Sequence, residues 1–422
     1  MYRIIALCFY TFFLSYFTSC CKDENKSEDG VIWKNRINGK DLIGNVGLGY
    51  PIYNNTVVFH STPDPTDNDE NSIIHGLDTE TGKEKWRLTN ADFFPKKKLT
   101  LYNTFGTYQK DNIVVASDEI YKPLNTDVER YIYGIDIDKG KVLWVTQLPA
   151  DYYSLGAMIK GAGQYAYVDA TSDNKISLLR VDIKTGVLSS AVDVFSDIDL
   201  PKEVSSLNAY FSGFYFSEIY KNSTGDDMVA LSLMPDLYDK PNITVLYVYN
   251  LTQKKNVYTT TVTFDGSNAW IYNLNGKLII GTQKTAFCYD AFTNKKYWEK
   301  SVVLNDGVGS GSGNDEILQV LGYDNLALVY CVDRLVAFDI NSGAVKYNVP
   351  SSHTAANIID GVIYQREGSD LQMRDPRTGR ELKRIVTGPN EQAFSSSRPN
   401  GKDGKIFVHS YTHAFCIKAW GR

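Results

Sequence analysis

The groups in this 422-residue chain that could do chemistry are few and scattered. Its five histidines are His60, His75, His353, His409 and His413. Only the last two are close, and the intervening Ser410, Tyr411 and Thr412 read as a turn between two strands rather than as part of a metal clamp. Cys288, Cys331 and Cys416 fall in separate apolar runs and read as buried free thiols. The acidic stretch Asp64, Asp67, Asp69 and Glu70 has the oxygen density for calcium but not the glycine turn of an EF-hand loop. The glycine-rich residues 305–316 carry flanking acids and no following lysine, so they read as a connector and not as a phosphate cradle. Neither a Gly-x-Ser-x-Gly elbow nor a Walker motif is present. The expectation is therefore no catalytic set, no metal site and no cofactor.

Composition narrows the class further. Forty-four Lys and Arg against 49 Asp and Glu leave a net charge of -5, and no basic block tracks a phosphate backbone, which argues against a nucleic-acid partner. At the N-terminus, Arg3, the apolar run 4–17 and then Thr18-Ser19-Cys20 read as a secretory signal that resembles the bacterial lipobox. Cys20 is the expected lipidation site, with Cys21 as the neighbouring alternative. The sequence divides into a signal peptide and lipobox at 1–20, a flexible tether at 21–29 and one folded domain at 30–422. Lys22-Asp23-Glu24 resembles the short signal that sends lipoproteins of Bacteroidetes-type bacteria to the cell surface. These features predict a cell-envelope, outer-membrane lipoprotein held to the membrane by its N-terminal lipid, with the surface leaflet and the periplasmic leaflet as the two alternatives.

What must position any functional group is a repeat that runs through the chain. It reads as an apolar strand, an Asp, a glycine-containing turn and a strand bearing an aromatic. The clearest copies are Asp78-Gly82-Trp86, Asp136-Gly140-Trp144 and Asp339-Gly343-Tyr347, and weaker ones centre on Asp182, Asn250, Asp290 (with Trp298) and Asp375. Counting Asp as zero, position four is Gly82, Gly140, Gly186, Lys254, Asn294, Gly343 and Gly379. Glycine and asparagine tolerate positive φ, which a tight turn needs, while the Asp carboxylate accepts from turn amides. Lys254 departs from the rule and predicts a remodelled turn. Position eight is Trp86, Trp144, Ser190, Tyr258, Trp298, Tyr347 and Lys383. A constant aromatic phase predicts a side chain that wedges against the next repeat.

Successive anchors are 58, 46, 68, 40, 49 and 36 residues apart, centred on the length of a four-stranded propeller blade. Near the C-terminus, Thr412 to Cys416 aligns with Leu335 to Asp339, and the chain stops before a fourth strand. Val31 to Lys34 is expected to supply it, with Trp33 standing at position eight and closing the ring. The predicted fold is all-β: a single eight-bladed β-propeller of four-stranded antiparallel blades.

The Asp, Thr/Ser-Gly and Trp spacing resembles the repeat of the pyrroloquinoline-quinone-like propellers, a family that includes quinoprotein dehydrogenases and BamB-like outer-membrane assembly lipoproteins. The resemblance spans residues 30–422 and carries the fold; it does not choose among enzyme, scaffold and sensor. The dehydrogenases hold their quinone beneath a disulfide between adjacent cysteines and coordinate calcium with acids, whereas the only adjacent cysteines here are Cys20 and Cys21.

A binding face is expected from the lengths of the links between second and third strands. These are long in blades one to four, at residues 61–72, 118–129, 171–175 and 233–243, and short in blades five and six. They put Asp64, Asp67, Asp69, Glu70, Tyr121 and Tyr238 on one built-up side of the disc. The reading that follows is a non-catalytic, lipid-anchored scaffold that binds an envelope protein or outer-membrane complex. The alternatives are a surface glycan or small-ligand binder using Tyr152, Tyr153, Tyr215, Tyr220 and Tyr238 as stacking platforms, and, more remotely, a quinoprotein dehydrogenase.

Overall fold

The computed structural model describes residues 30–36, 42–43, 50–61, 73–95, 104–121, 128–172, 175–193, 210–236, 243–263, 270–303, 316–386, 394, 398–410 and 413–421. The expected lipidation site Cys20 and the tether fall outside these residues.

Eight antiparallel sheets follow one another along the chain. Seven are built from consecutive strands, and the eighth pairs Val31–Arg36 with His413–Lys418, so the N-terminal strand completes the last blade. The strands of blade five, Trp270–Leu274, Lys277–Gly281, Thr285–Asp290 and Lys296–Ser301, lie where the apolar alternation and the Asn275-Gly276 turn place them. First strands of neighbouring blades touch one another around the ring and so line its centre, and the aromatic-bearing strands form its rim. Blade one carries two short pieces, Leu42–Ile43 and Ile52–Tyr53, that both pair Thr56–Ser61.

Each Asp does what its position predicts. In blade one Asp78 Oδ1 accepts from the Glu80 and Thr81 amides, and the Gly82 amide donates to the Asp78 carbonyl at 2.8 Å. Asp136, Asp182, Asn250, Asp290, Asp339 and Asp375 accept from turn amides in the same way. The Ser342 amide and hydroxyl hold the Asp339 carboxyl down at about 2.

The aromatic of each repeat docks on the turn of the following blade. Trp33, Trp86, Trp144 and Trp298 donate their indole N–H to the carbonyls of Thr79, Ile137, Ile183 and Ile340, each one residue past the next blade's Asp. Tyr347 reaches the equivalent Pro376 carbonyl with its hydroxyl at 2.8 Å. The position-four glycine is required twice over, by its positive φ and by the ring lying on it. A Cβ on Gly140 would sit 2.2 Å from Trp86 Cγ, and one on Gly82 2.6 Å from the Trp33 ring. Where blade three lacks the aromatic, at Ser190, blade four needs no glycine, and Lys254 occupies the turn at φ 52°. Blade four then remodels its turns around Asp226, which accepts from Asn222, Asn250, Gln253 and Thr224. Asn294 is not in the positive-φ region; Tyr258 and Tyr220 instead hold that seam through the Asp290 and Ala291 carbonyls.

In five blades the residue paired with the docked aromatic is small, whereas Tyr258 of blade four pairs Val248. Gly76 faces Trp86, Gly134 faces Trp144, Ala337 faces Tyr347, Cys288 faces Trp298 and Cys416 faces Trp33. This last pair corrects the expected alignment of the final blade by two residues. Lys418, whose amide donates to Gly30 O at 2.7 Å, stands where other blades have Asp, and Cys416 stands two before it. The apparent match of Ala414-Phe415 to Ala337-Phe338 is overridden by the pairing of Trp33 with Cys416. Closure at position eight by Trp33 holds.

The expected long links also need revision. Residues 118–121 and 128–129 are strand, with Tyr121 paired to Val128, and Ser172 pairs Lys175 across a two-residue link. In blade four, strand runs to Asp236 and resumes at Ile243. Blades two to four are thus raised by extended hairpins rather than by loops. β-branched and aromatic residues in these segments continue the ladder beyond the height of the ring.

Substituting Gly163, which has φ 59° and open space at its Cβ, isolates the cost of positive φ, while Gly140 at φ 58° adds the docked indole. Gly163→Ala should cost about 1–2 kcal/mol and Gly140→Ala markedly more. Trp86→Ala should cost about 3–5 kcal/mol, and combining it with Gly140→Ala should be less than additive because the clash is gone. Denaturation midpoints of the four variants check this. A pH effect follows from two buried histidines. Burial, with His75 nearby, lowers His60 to about 4, and burial lowers His409 to about 3. Because the unfolded chain takes up these protons first, stability is full above pH 6.5 and falls as pH drops toward 4 and below. Thermal scans between pH 7 and 4 should show that decline, blunted in His60→Gln.

Candidate binding faces

Antiparallel alternation gives the disc two unlike faces. One carries all the Asp turns together with the hairpins between first and second strands. The other carries the links between second and third strands and those between blades. On this second face the height is uneven. The first two strands of blade four have 12 and 10 residues and the second and third of blade two have 9 each, against 5 and 5 for the first two of blade five.

Of the residues expected on this crown, Asp64, Asp67, Asp69, Glu70 and Tyr238 lie outside the described residues, as does the glycine-rich stretch 305–316 except its last residue. Tyr121 ends the second strand of blade two. The described base of that hairpin is polar and fixed: the Tyr131 hydroxyl donates to Glu129, and Arg130 Nη1 donates to the Tyr152 carbonyl at 3.0 Å. Of the proposed stacking tyrosines, Tyr152 is buried with its hydroxyl 3.3 Å from Ser177 Oγ, and Tyr220 is spent on the blade-five seam.

The centre of the ring holds a feature that the sequence reading did not single out. Side-chain amides on first strands clamp the neighbouring blade's backbone: Gln109 on Ile52, Gln319 on Ala356, Asn357 on the Pro399 carbonyl and Asn400 on the Tyr50 carbonyl. Lys160 of blade three is paired with Glu218 of blade four. Arg398, at the entry to blade eight, interacts electrostatically with the same Glu218 and with Tyr272 of blade five. Blades eight and four stand opposite each other, so this Lys–Glu–Arg cluster spans the channel. Side chains separated by up to 238 positions carry no common spacing that would have announced it.

The remaining ionisable groups are committed to structure. Cys288 and Cys416 are free, fully buried and pushed up to about 12 by burial, which makes them poor nucleophiles. His75 bonds Ser61 and Glu84, and His409 bonds Tyr50. Burial raises the Asp169 carboxyl to about 7, yet no nucleophile or second carboxylate is hydrogen-bonded to it among the described residues. Among those residues no three His, Cys, Asp or Glu side chains are grouped to hold a metal ion. The geometry is that of a rigid ring offering two faces.

The family model described as outer membrane protein assembly factor BamB, of the pyrroloquinoline-quinone repeat type, matches residues 250–419, from the third-strand end of blade four through blade eight. No curated protein sequence matches the chain. Among solved structures, BamB from Moraxella catarrhalis is similar with a TM-score of 0.56 at 11% identity, covering 92% of this chain and 99% of that one. The chain thus has the β-propeller fold of that BamB structure, and over residues 250–419 its repeats are similar to the pyrroloquinoline-quinone type.

Proposed function

We propose that this chain is a non-catalytic, lipid-anchored scaffold of the cell envelope that binds an outer-membrane or surface protein complex through the face that carries the second-to-third-strand links of blades one to four, raised as a hairpin crown in blades two to four. The observation that carries the reading is the crown itself. One arc of a rigid ring extends its second and third strands past the body of the disc, and ladder hydrogen bonds hold that extension in place. Such a surface is pre-organised, which reduces the ordering cost of docking a folded partner. The printed role of BamB in outer-membrane protein assembly supports a protein partner as its class. The Ser19-Cys20 lipobox and the Lys22-Asp23-Glu24 signal support the anchor and its surface destination.

Quantitative mass spectrometry of material co-purified from gently solubilised native envelopes should recover a stoichiometric membrane partner. That partner should be lost in the Cys20→Ala, Cys21→Ala variant. Recovery of the propeller alone from both preparations contradicts the scaffold reading. Replacing residues 61–72 and 233–243 with short turns should abolish partner recovery while leaving the far-ultraviolet spectrum and melting point close to those of the parent. Undiminished recovery would remove the crown as the docking surface.

A further inference from the structure

The place where the chain enters the ring fixes which face can meet a lipid surface. Gly30 O accepts from the Lys418 amide and Val31 pairs Ile417, so the N-terminal strand begins at the level of the Asp turns and runs toward the crown. The segment that precedes it therefore leaves from the Asp-turn face. It does so beside the seam of blades seven and eight, where Lys383 replaces the docking aromatic and approaches Gly30.

From Cys20 to Gly30 the chain makes ten steps, which span at most about 33–36 Å when fully extended and about 16–19 Å as a relaxed polar tether. From the turn at Asn222–Asp226 to Asp236, the second strand of blade four rises through 10 residues, or about 33 Å. Blade four also stands across the ring from blade eight. A tether leaving the Asp-turn face would have to be stretched to its whole contour, about twice its relaxed span, to bring its lipid to the level of the crown.

The surface around the exit suits the opposite arrangement. Ile32 and Trp420 are each 43% exposed there, among the few large apolar side chains in solvent among the described residues. With Asp360, Asp403, Lys405 and Lys418, Ile32 lines an open cavity of about 540 Å³. An exposed tryptophan and lysine stems beside a lipidated tether match the amphipathic chemistry of a bilayer interface.

We infer that the Asp-turn face at blades seven and eight lies against the bilayer that carries the protein's own lipid, and that the hairpin crown points away from it. This rests on the acylation proposed above. It makes the crown's partner one that reaches beyond the membrane surface, and not a membrane-embedded segment of the anchoring leaflet.

The test uses the full chain, acylated and reconstituted into phosphatidylethanolamine–phosphatidylglycerol vesicles containing an acceptor-labelled lipid. Donor dyes are placed singly, in a Cys21→Ser background that removes the other thiol of the tether, through Lys402→Cys on the Asp-turn face or Asp236→Cys on the crown; Cys288, Cys331 and Cys416 are buried and stay unlabelled in the folded protein. Energy transfer to the bilayer should be higher from position 402 than from position 236. Equal or reversed transfer from vesicle-bound, acylated protein overturns the orientation while leaving the anchor standing. Absence of an acyl group by intact mass, with the protein remaining in solution, overturns the anchor and this inference with it. Inserting a long Gly/Ser spacer after Asp29 should raise transfer from position 236 relative to 402, since the constraint is the length of the tether.

Discussion

The ring depends on one contact repeated at its seams: an indole or phenol from one blade laid across the turn of the next, its polar hydrogen on the first carbonyl past the Asp. Apolar burial and a hydrogen bond act there through the same side chain. The contact crosses blades and needs a bare backbone beneath it, so it dictates glycine at position four and a small residue on the pairing strand. Cys288 and Cys416 are explained this way. They are the narrow side chains that leave room for Trp298 and Trp33, which is why they are buried, apart and unpaired.

Two seams do without the docked aromatic, and the structure handles them differently. Between blades three and four the apolar core carries the load: Tyr167, Leu178 and Val192 pack with Val229, Leu231 and Tyr247. The Asp226 network then ties together the two exposed turns of blade four. Between blades seven and eight, Lys383 stands in place of the aromatic beside the backbone of the incoming N-terminal strand. The first exception follows from the same rule, because removing the ring also removes the need for glycine under it; at the second, Gly30 keeps its positive φ beside Lys383.

The regular part of this architecture was legible because its signals are local. An Asx turn, a positive-φ glycine and an aromatic on the returning strand all fall within nine residues, and seven repetitions separate them from chance. Three details were not legible, each for a definite reason. The final blade was aligned two residues early because Ala-Phe recurs in its strand, and only the cross-chain pairing of Trp33 with Cys416 settles the register. Segments such as 118–121 and 233–236 read as loops, yet ladder hydrogen bonds from their partner strands keep them extended. Asn294 was read as a positive-φ turn residue, but Tyr258 and Tyr220 hold that seam in another geometry.

By itself the sequence determined the repeat, the number of blades and the closure of the ring by its own N-terminus, since these depend on residue types at fixed short spacing. The tertiary structure decided which turn each aromatic serves, because docking joins positions 39 to 51 residues apart in the Trp33, Trp86, Trp144 and Trp298 contacts. It also decided what meets in the channel, where Lys160, Glu218 and Arg398 come from blades three, four and eight. Finally it set the two faces against each other: strand direction puts the N-terminal exit among the Asp turns and the tall hairpins on the far side. Strand direction in a closed ring follows from pairing alone, and pairing is a property of the assembled sheet.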